Sequence, residues 1–429
     1  MYKCVTTTAE VRKYLGGAAV VDGRQLVAFD FETAPFEAYR NEPKAALDAH
    51  KSIIVGISFS VAEGEAIYIP LAHRAGENID NPTELWVFLA EFFANKNVVK
   101  IAHNLAFESA FLYALGIVIQ EPVYDTIAGA QLSLKSSTEF RTLADSGLKT
   151  LAKELLGADM PTFGEVAGNR HFDELDSSDS ETIRYACADS DYTLRLYHLV
   201  NGWFDKWLPR HRYIVENIES ATSVYCGIMR YNGLPVDAAL MQSKSAECDA
   251  RLIKLKADIE FMVGDIKIGA NCSTSAFKNY LYKDLGLPVL KTTAKYQEAA
   301  DDEAMVLLSE WCALNRPELV PLFKLVQEYR KVGKLKSTYI DGYAKQINTA
   351  TGRIHPDLMP LATETGRFAA RNPNCQNMPR AGADEIGVRN FFTAPAGNVL
   401  LAVDLSQIEL RIGALYCRDE TMLQGIVKL

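Results

Sequence analysis

The sequence predicts an α/β domain built on a mixed sheet, followed by a region that is almost wholly α. Three observations predict it. Residues 26–33 are an apolar run that ends in two carboxylates, the pattern of a buried strand reaching the rim of a core. Residues 53–60 and 65–70 are two further strand-like runs joined by the turn pair Glu63-Gly64, which makes a meander. Helix-period and strand-like stretches then alternate to about residue 115, so the sheet is mixed rather than purely parallel.

In Leu26-Val27-Ala28-Phe29-Asp30-Phe31-Glu32-Thr33, strand alternation sends Asp30 and Glu32 to one face and Val27, Phe29 and Phe31 to the other, as core. Adjacent carboxylates repel unless a proton or cation joins them, and hard oxygen ligands suit Mg²⁺ or Mn²⁺. An ordinary strand end with solvated charges is the plainer alternative.

Residues 82–95 carry Leu85, Phe88, Leu89, Phe92 and Phe93 at helix spacing, residues 98–103 read as a fourth strand, and residues 105–115 as a second helix. Asn104 stands where it can cap that helix. Glu108, about one turn inside, either faces the acidic end of the sheet or is a solvated first-turn glutamate favoured by the helix dipole. In residues 183–194, Tyr185 and Asp189 are four apart and share a helix face. A phenol one turn from a carboxylate can orient a water beside a metal-bound phosphate; a surface helix with a half-buried tyrosine has the same spacing.

With 429 residues and 48% hydrophobic content the chain can bury large cores, and its length suggests two or three domains. A net charge of −9 argues against an overall basic coat for nucleic acid, although local patches can still meet phosphate. Cys4, Cys187, Cys226, Cys248, Cys272, Cys312, Cys375 and Cys417 lie singly, with no C-x-x-C pair, which suggests neither a zinc site nor a disulfide framework. No signal-peptide apolar region opens the chain and no apolar run is long enough to span a bilayer, so a soluble, cytoplasmic protein is expected. No Gly-x-x-x-x-Gly-Lys loop is present, which weakens an NTPase reading.

A helical pattern continues from Leu194 through Tyr225 and is broken by the turn-rich residues 227–237. A long helix over 238–263 and another helical stretch over 273–285, closed by Gly286-Leu287-Pro288, come next. Residues 321–345 are locally basic, with Lys324, Arg330, Lys331, Lys334, Lys336 and Lys345 interleaved with Tyr329, Tyr339 and Tyr343. That mixture suits either a nucleic-acid backbone or a solvated helix face. Residues 365–379 are turn-rich, and arginines with amide side chains (Arg367, Arg371, Gln376, Asn377) suit phosphate and base-edge contacts. Asn398 to Val403 is an apolar strand ending in Asp404, either a metal-site candidate or a helix cap for the segment through Ile412.

Asp30 with Glu32, Asn104 to Glu108, and Tyr185 with Asp189 occur in the order of three exonuclease motifs. The chain resembles the DEDD 3′–5′ exonucleases of the tyrosine subtype, on a ribonuclease H-like fold, and Val123-Tyr124-Asp125-Thr126 also looks like that family. The family places aspartate where this chain has Glu108, whose longer side chain would reach the metal through water. The resemblance implies two Mg²⁺ or Mn²⁺ ions, Asp30 bridging them, Glu32 and Asp189 on the ion that activates water, Glu108 in the second ion's outer shell, and Tyr185 orienting the water.

Asp404-Leu405-Ser406-Gln407-Ile408-Glu409-Leu410-Arg411 is similar to motif A of family A DNA polymerases, and Arg367 with Gln376-Asn377 to their primer–template segment. This implies Asp404 as a metal ligand, Glu409 as the residue excluding a ribose 2′-OH, and Asn104, Lys334, Lys336, Arg367, Arg371, Gln376, Asn377 and Arg411 as DNA contacts. The expected layout is a ribonuclease H-like exonuclease domain over 1–205, a connector over 206–237, a helical thumb over 238–350, and the beginning of a polymerase palm over 351–429. The fingers and second acidic palm motif are expected to be missing, and the layout to be phage-like, in a host cytoplasm if phage-encoded. Expected partners are single-stranded 3′ ends, primer–template DNA and, if the enzyme is split, a second polypeptide with fingers and remaining palm. A stand-alone exonuclease and an inactive DNA-binding or clamp-docking remnant are the rival readings.

Overall fold

The structure is a computed structural model that describes residues 1–136, 146–363, 365–380, 382 and 384–427. Its first half is β1 (Tyr2–Cys4), α1 (Thr8–Gly16), β2 (Val20–Val21), β3 (Arg24–Pro35), β4 (Ser52–Ala62), β5 (Glu65–Pro70), α2 (Pro82–Ala94), β6 (Val98–Ala102), α3 (Leu105–Ala114), β7 (Val123–Asp125) and α4 (Thr126–Ser136). Then come α5 (Leu148–Leu156), α6 (Phe163–Ala167), α7 (Ser180–Lys206), α8 (Pro209–Ile214) and α9 (Ser220–Asn232). The strands form one mixed sheet in the order β1-β5-β4-β3-β6-β7, with β2 hairpinned onto β3. β3 is antiparallel to β4 and parallel to β6, so the meander and the βαβ crossover meet on the strand that carries Asp30 and Glu32.

Alternation along β3 sorts the two helical layers. Val27, Phe29 and Phe31 pack with Leu85, Leu89, Phe93, Phe111 and Leu112 of α2 and α3. Leu26 and Ala28 pack on the opposite side with Ala128, Leu194 and Phe204 of α4 and α7. Gly56 lies across the ladder from Glu32, and a Cβ there would collide with the ring and hydroxyl of Tyr68, so only glycine leaves room for that buried phenol.

The helical pattern from Leu194 to Tyr225 is interrupted. α7 ends at Lys206, α8 restarts at Pro209, and five residues of π-helix (Val215–Glu219) lead into α9. Gly227 does not break the helix, contrary to expectation. It lies inside α9, where a Cβ would meet the Ala106 carbonyl oxygen of α3, and the turn comes at Gly233, with φ +60°. Residues 209–232 therefore pack on the sheet domain: Ser109 Oγ donates to the Val224 carbonyl at 2.9 Å, and the Asp125 N–H to Ser220 Oγ at 2.9 Å.

The second half contains β8 (Leu234–Pro235), α10 (Ala238–Val263), α11 (Ser275–Asn279), α12 (Asp302–Asn315), α13 (Val320–Leu335), α14 (Asp341–Ala344), β9 (Arg353–Ile354), β10 (Asp357–Met359), β11 (Ala369–Arg371), α15 (Ile408–Cys417) and α16 (Glu420–Val427). α10 has the expected bounds because Asp237 Oδ1 accepts the Leu240 N–H at 2.8 Å and Gly264, at φ +73°, ends it. Its core joins Ile259, Met305, Phe323 and Val326 to Ile354, Val388 and Phe391.

Two expectations about this half fail. Tyr329 and Tyr343 are buried in that core, and the Tyr339 and Tyr343 hydroxyls donate to the carbonyls of Asn377 and Asn374, so these aromatics hold the 374–377 segment in place instead of facing outward. Residues 399–403 form no strand: Val399, Leu401 and Val403 are 88, 86 and 78% exposed. A strand needs a neighbour to bond, and no described segment pairs with this one.

The halves meet at a cleft of about 670 Å³ lined by Asp48, His50, Asn104, Arg230, Asn348 and His355, among others. His50 stacks on Tyr231 with centroids 4.1 Å apart, and its Nε2 lies 2.8 Å from the Tyr231 carbonyl oxygen. His355 sits 5.0 Å from His50 between ring centroids, its Nδ1 2.7 Å from the Arg230 carbonyl oxygen.

Candidate active site

β3 brings Asp30 and Glu32 to the sheet face crossed by α7, and α7 brings Tyr185 and Asp189 one turn apart. Oxygen atoms of Asp30, Glu32 and Asp189 all lie within 4.8 Å of one another. Glu108, in the first turn of α3, is not one of that trio but lies near enough to feel the charge of Asp30. Of the two readings of Glu108 the solvated one fails: it is 1% exposed, because α3 packs its first turn against the sheet. Glu32 Oε1, Glu108 Oε2 and Asp189 Oδ1 are buried with no hydrogen-bond partner.

Burying charged groups this way is costly, and the carboxyls respond. Burial pushes all four pKa values up. Asp30 is raised further by Asp189, Glu32 by Asp30 and Asp189, and Glu108 by Asp30, while Asp189 is pushed up to about 6. Asp30 and Asp189 line a cleft of about 340 Å³ with His103, Gly147, Leu148, Lys149 and Thr150. Tyr185 is buried among Phe172, Ala186 and Cys187, and burial, then Glu32, Asp189 and Asp30, push its pKa upward, so it stays a phenol.

Asn104 occupies the position before α3, but in the left-handed region (φ +75°) and with no side-chain cap. Asp125 supplies the cap: its oxygens accept the N–H groups of Asn104 at 3.1 Å, Leu105 at 3.2 Å and Ile127 at 3.0 Å. In the sequence, Asp125 is marked by the family resemblance, and nothing gives Lys149 a role. An aspartate ending a strand before an apolar helix was a signal for the first. Nothing local signalled the second.

The other predicted residues lie apart from this cluster. Asp404 is exposed in the unpaired segment after 399–403. Glu409 is ion-paired with Arg367, and Arg411 Nε donates to the Ser406 carbonyl at 2.7 Å. Arg371 lies 3.5 Å from Asp357, and the Gln376 N–H is bonded to Asn374. Lys336 is turned inward between Asp341 (2.9 Å) and Asp249 (3.3 Å), because the π-helical turn Lys336–Ile340 directs it at α10. Lys334 is exposed beside a groove that also takes in Arg330 and Lys278.

Among the described residues no helix is long and apolar enough to cross a membrane. The family description "3′–5′ exonuclease" matches residues 2–201, and "DNA polymerase family A" matches residues 238–428. DNA polymerase I of Pseudomonas aeruginosa is 31% identical over 411 residues, covering 94% of this chain and 42% of that protein. DNA polymerase I of Chloroflexus aurantiacus is 30% identical over 396 residues, covering 90% and 40%. The chain thus spans about two fifths of the length of these relatives. In fold it is similar to the POL domain of Pol1 from M. smegmatis, solved with DNA primer-template and dNTP (TM-score 0.73, 18% identity, 99% of this chain and 64% of that one).

Proposed function

The chain belongs to DNA polymerase family A, with a 3′–5′ exonuclease domain ahead of its polymerase segment, and we propose that the first domain removes nucleotides from DNA 3′ ends. The observation that carries the reading is the carboxylate cluster of buried Glu32 with half-buried Asp30 and Asp189, together with the unpartnered oxygens of Glu32, Glu108 and Asp189. Oxygens buried without donors suit hard divalent cations, so the donor set fits Mg²⁺ or Mn²⁺. When bound, a pair of such ions supplies the charge that makes water nucleophilic and stabilises the departing 3′-oxygen.

The chain's own residues do the rest. Asp30, Glu32 and Asp189 would hold the cations, and Glu108 would back them through water. Tyr185 stays protonated and donates its hydroxyl to the attacking water. The cleft beside Asp30 admits a strand end. The water oxygen bonds to phosphorus as the bond to the 3′-oxygen breaks; the water gives up one proton and the 3′-oxygen gains one. The products are a nucleoside 5′-monophosphate and a strand one nucleotide shorter.

The natural partner is DNA, as single-stranded 3′ ends and as primer–template, with Asn104, Lys334, Lys336, Arg367, Arg371, Gln376, Asn377 and Arg411 along its path. Lys336 contributes there only if it leaves its acids. We assign Asp404 to a polymerase metal and Glu409 to sugar selection, with proofreading in the cytoplasm as the setting. Primer extension then needs fingers and the remaining palm in addition to these residues, in the same or a second polypeptide, and Asp404→Ala should spare the exonuclease. The test is digestion of 3′-labelled single-stranded DNA with and without divalent metal. Metal-independent digestion, or none, overturns the reading.

A further inference from the structure

Among the described residues of the cleft, Lys149 is a cation that the reading above leaves without a role. It follows Leu148 at the start of α5, whose Leu148, Leu151 and Leu155 pack with Ala130, Leu134 and Leu196 of α4 and α7. That packing fixes the backbone beside the cleft, and Lys149 lines it with Asp30 and Asp189. Its ammonium donates to the Tyr185 hydroxyl oxygen at 3.2 Å and lies 4.2 Å from the centroid of the same ring. The carboxylates of Asp30, Glu32 and Asp189 feel its charge as well.

We propose that Lys149 is a positioning residue of the hydrolytic site, which acts by fixing the hydroxyl of Tyr185. An ammonium has donors only, so the phenol oxygen must accept from it. That engages one lone pair and leaves the phenol's single hydrogen to be donated elsewhere. The attacking water sits where that hydrogen points. Without Lys149 the hydroxyl hydrogen can take either of its two positions in the ring plane, and the water loses its fixed place. The contact with the ring face adds a second restraint, since a cation over an aromatic face is held there electrostatically. This inference rests on the exonuclease reading and adds a residue to it.

Lys149 also opposes metal binding, because its charge faces the same carboxylates. Its two effects therefore have opposite signs, which a purely structural residue would not show.

The test uses the full chain with Lys149→Ala, Lys149→Arg, Tyr185→Phe and the double change Lys149→Ala/Tyr185→Phe. Single-turnover removal of the 3′ nucleotide should fall about ten- to hundredfold in Lys149→Ala. In the Tyr185→Phe background the same change should cost less than about twofold, because the group it acts through is gone. Lys149→Arg should recover part of the rate. Mn²⁺ titration of the metal-free protein, followed by electron paramagnetic resonance, should show about two- to tenfold tighter binding in Lys149→Ala. Equal losses in both backgrounds, or weaker Mn²⁺ binding accompanying the lost rate, would overturn the proposal. So would an active native chain whose Lys149→Ala variant keeps its full rate. A native chain that neither binds Mn²⁺ nor shortens DNA would instead overturn the exonuclease reading beneath it.

Discussion

The carboxylate of Asp125 accepts the Leu105 N–H at 3.2 Å, so the last residue of β7 anchors the first turn of α3, the turn that carries Glu108. Asp125→Ala leaves the N–H groups of Asn104, Leu105 and Ile127 without their acceptor. A loss of about 2 kcal/mol or more is expected, measured by urea unfolding. Exonuclease rate should fall with it, although Asp125 touches no substrate.

Asp30→Asn should abolish metal-dependent hydrolysis. It should also raise the melting temperature of the metal-free protein, because a half-buried carboxyl crowded by Asp189 is relieved. Divalent metal should no longer raise the melting temperature of the variant. Tyr185→Phe should slow hydrolysis while Mn²⁺ affinity stays close to native. Differential scanning fluorimetry with and without Mn²⁺, run beside the nuclease assay, reads all of these.

At Glu108, aspartate should keep or raise activity and alanine should lower it strongly. Glu108 Oε2 is buried without a donor, so Glu108→Gln should stabilise the metal-free fold by about 1 kcal/mol while slowing hydrolysis. Single-turnover rates set against unfolding midpoints decide this. A gain in both would mean the carboxylate has no catalytic use.

His355, at the junction of the halves, has its pKa lowered by burial, while its bond to the Arg230 carbonyl pulls the other way. His50 lowers it too, as does Arg353, and Asp48 raises it. A base whose folded pKa is depressed contributes stability that is fully present above its unfolded value, near 6.5, and lost as pH falls through the folded value. Between about pH 7 and 5 His355 therefore subtracts stability, while the raised carboxyls of Asp30, Glu32, Glu108 and Asp189 add it as they take up protons, so His355→Asn should remove a downward contribution to the slope of melting temperature against falling pH. Equal slopes in the two proteins would exclude His355 as the source.

How much of this was legible depended on whether a feature was local. Asp30 and Glu32 could be read because strand alternation is a property of the strand alone. So could the bounds of α10, because Asp237 and Gly264 mark its ends in the chain. Lys149 could not, since its meaning comes from a tyrosine 36 residues away. The tyrosines of the basic segment were misread for the same reason: charge pattern is local, but Tyr343 faces a core assembled from distant elements. The apolar run 399–403 reads as a strand, yet strand pairing is a relation between two segments and not a property of one.

The alternation along β3 makes chain length, more than residue identity, the quantity inherited with this site. Phe29 and Phe31 could exchange for other bulky apolar residues at modest cost. Deleting a single residue between Leu26 and Asp30 would trade the faces, sending the acids into the phenylalanine layer and the phenylalanines into the cleft. Past the acids the constraint relaxes, because the ladder with β4 already slips between Glu32 and Thr33. An extra residue there has somewhere to go. Length variation among descendants of this sequence should therefore be absent from one side of Asp30-Phe31-Glu32 and tolerated on the other, a boundary drawn by the pleat of a strand.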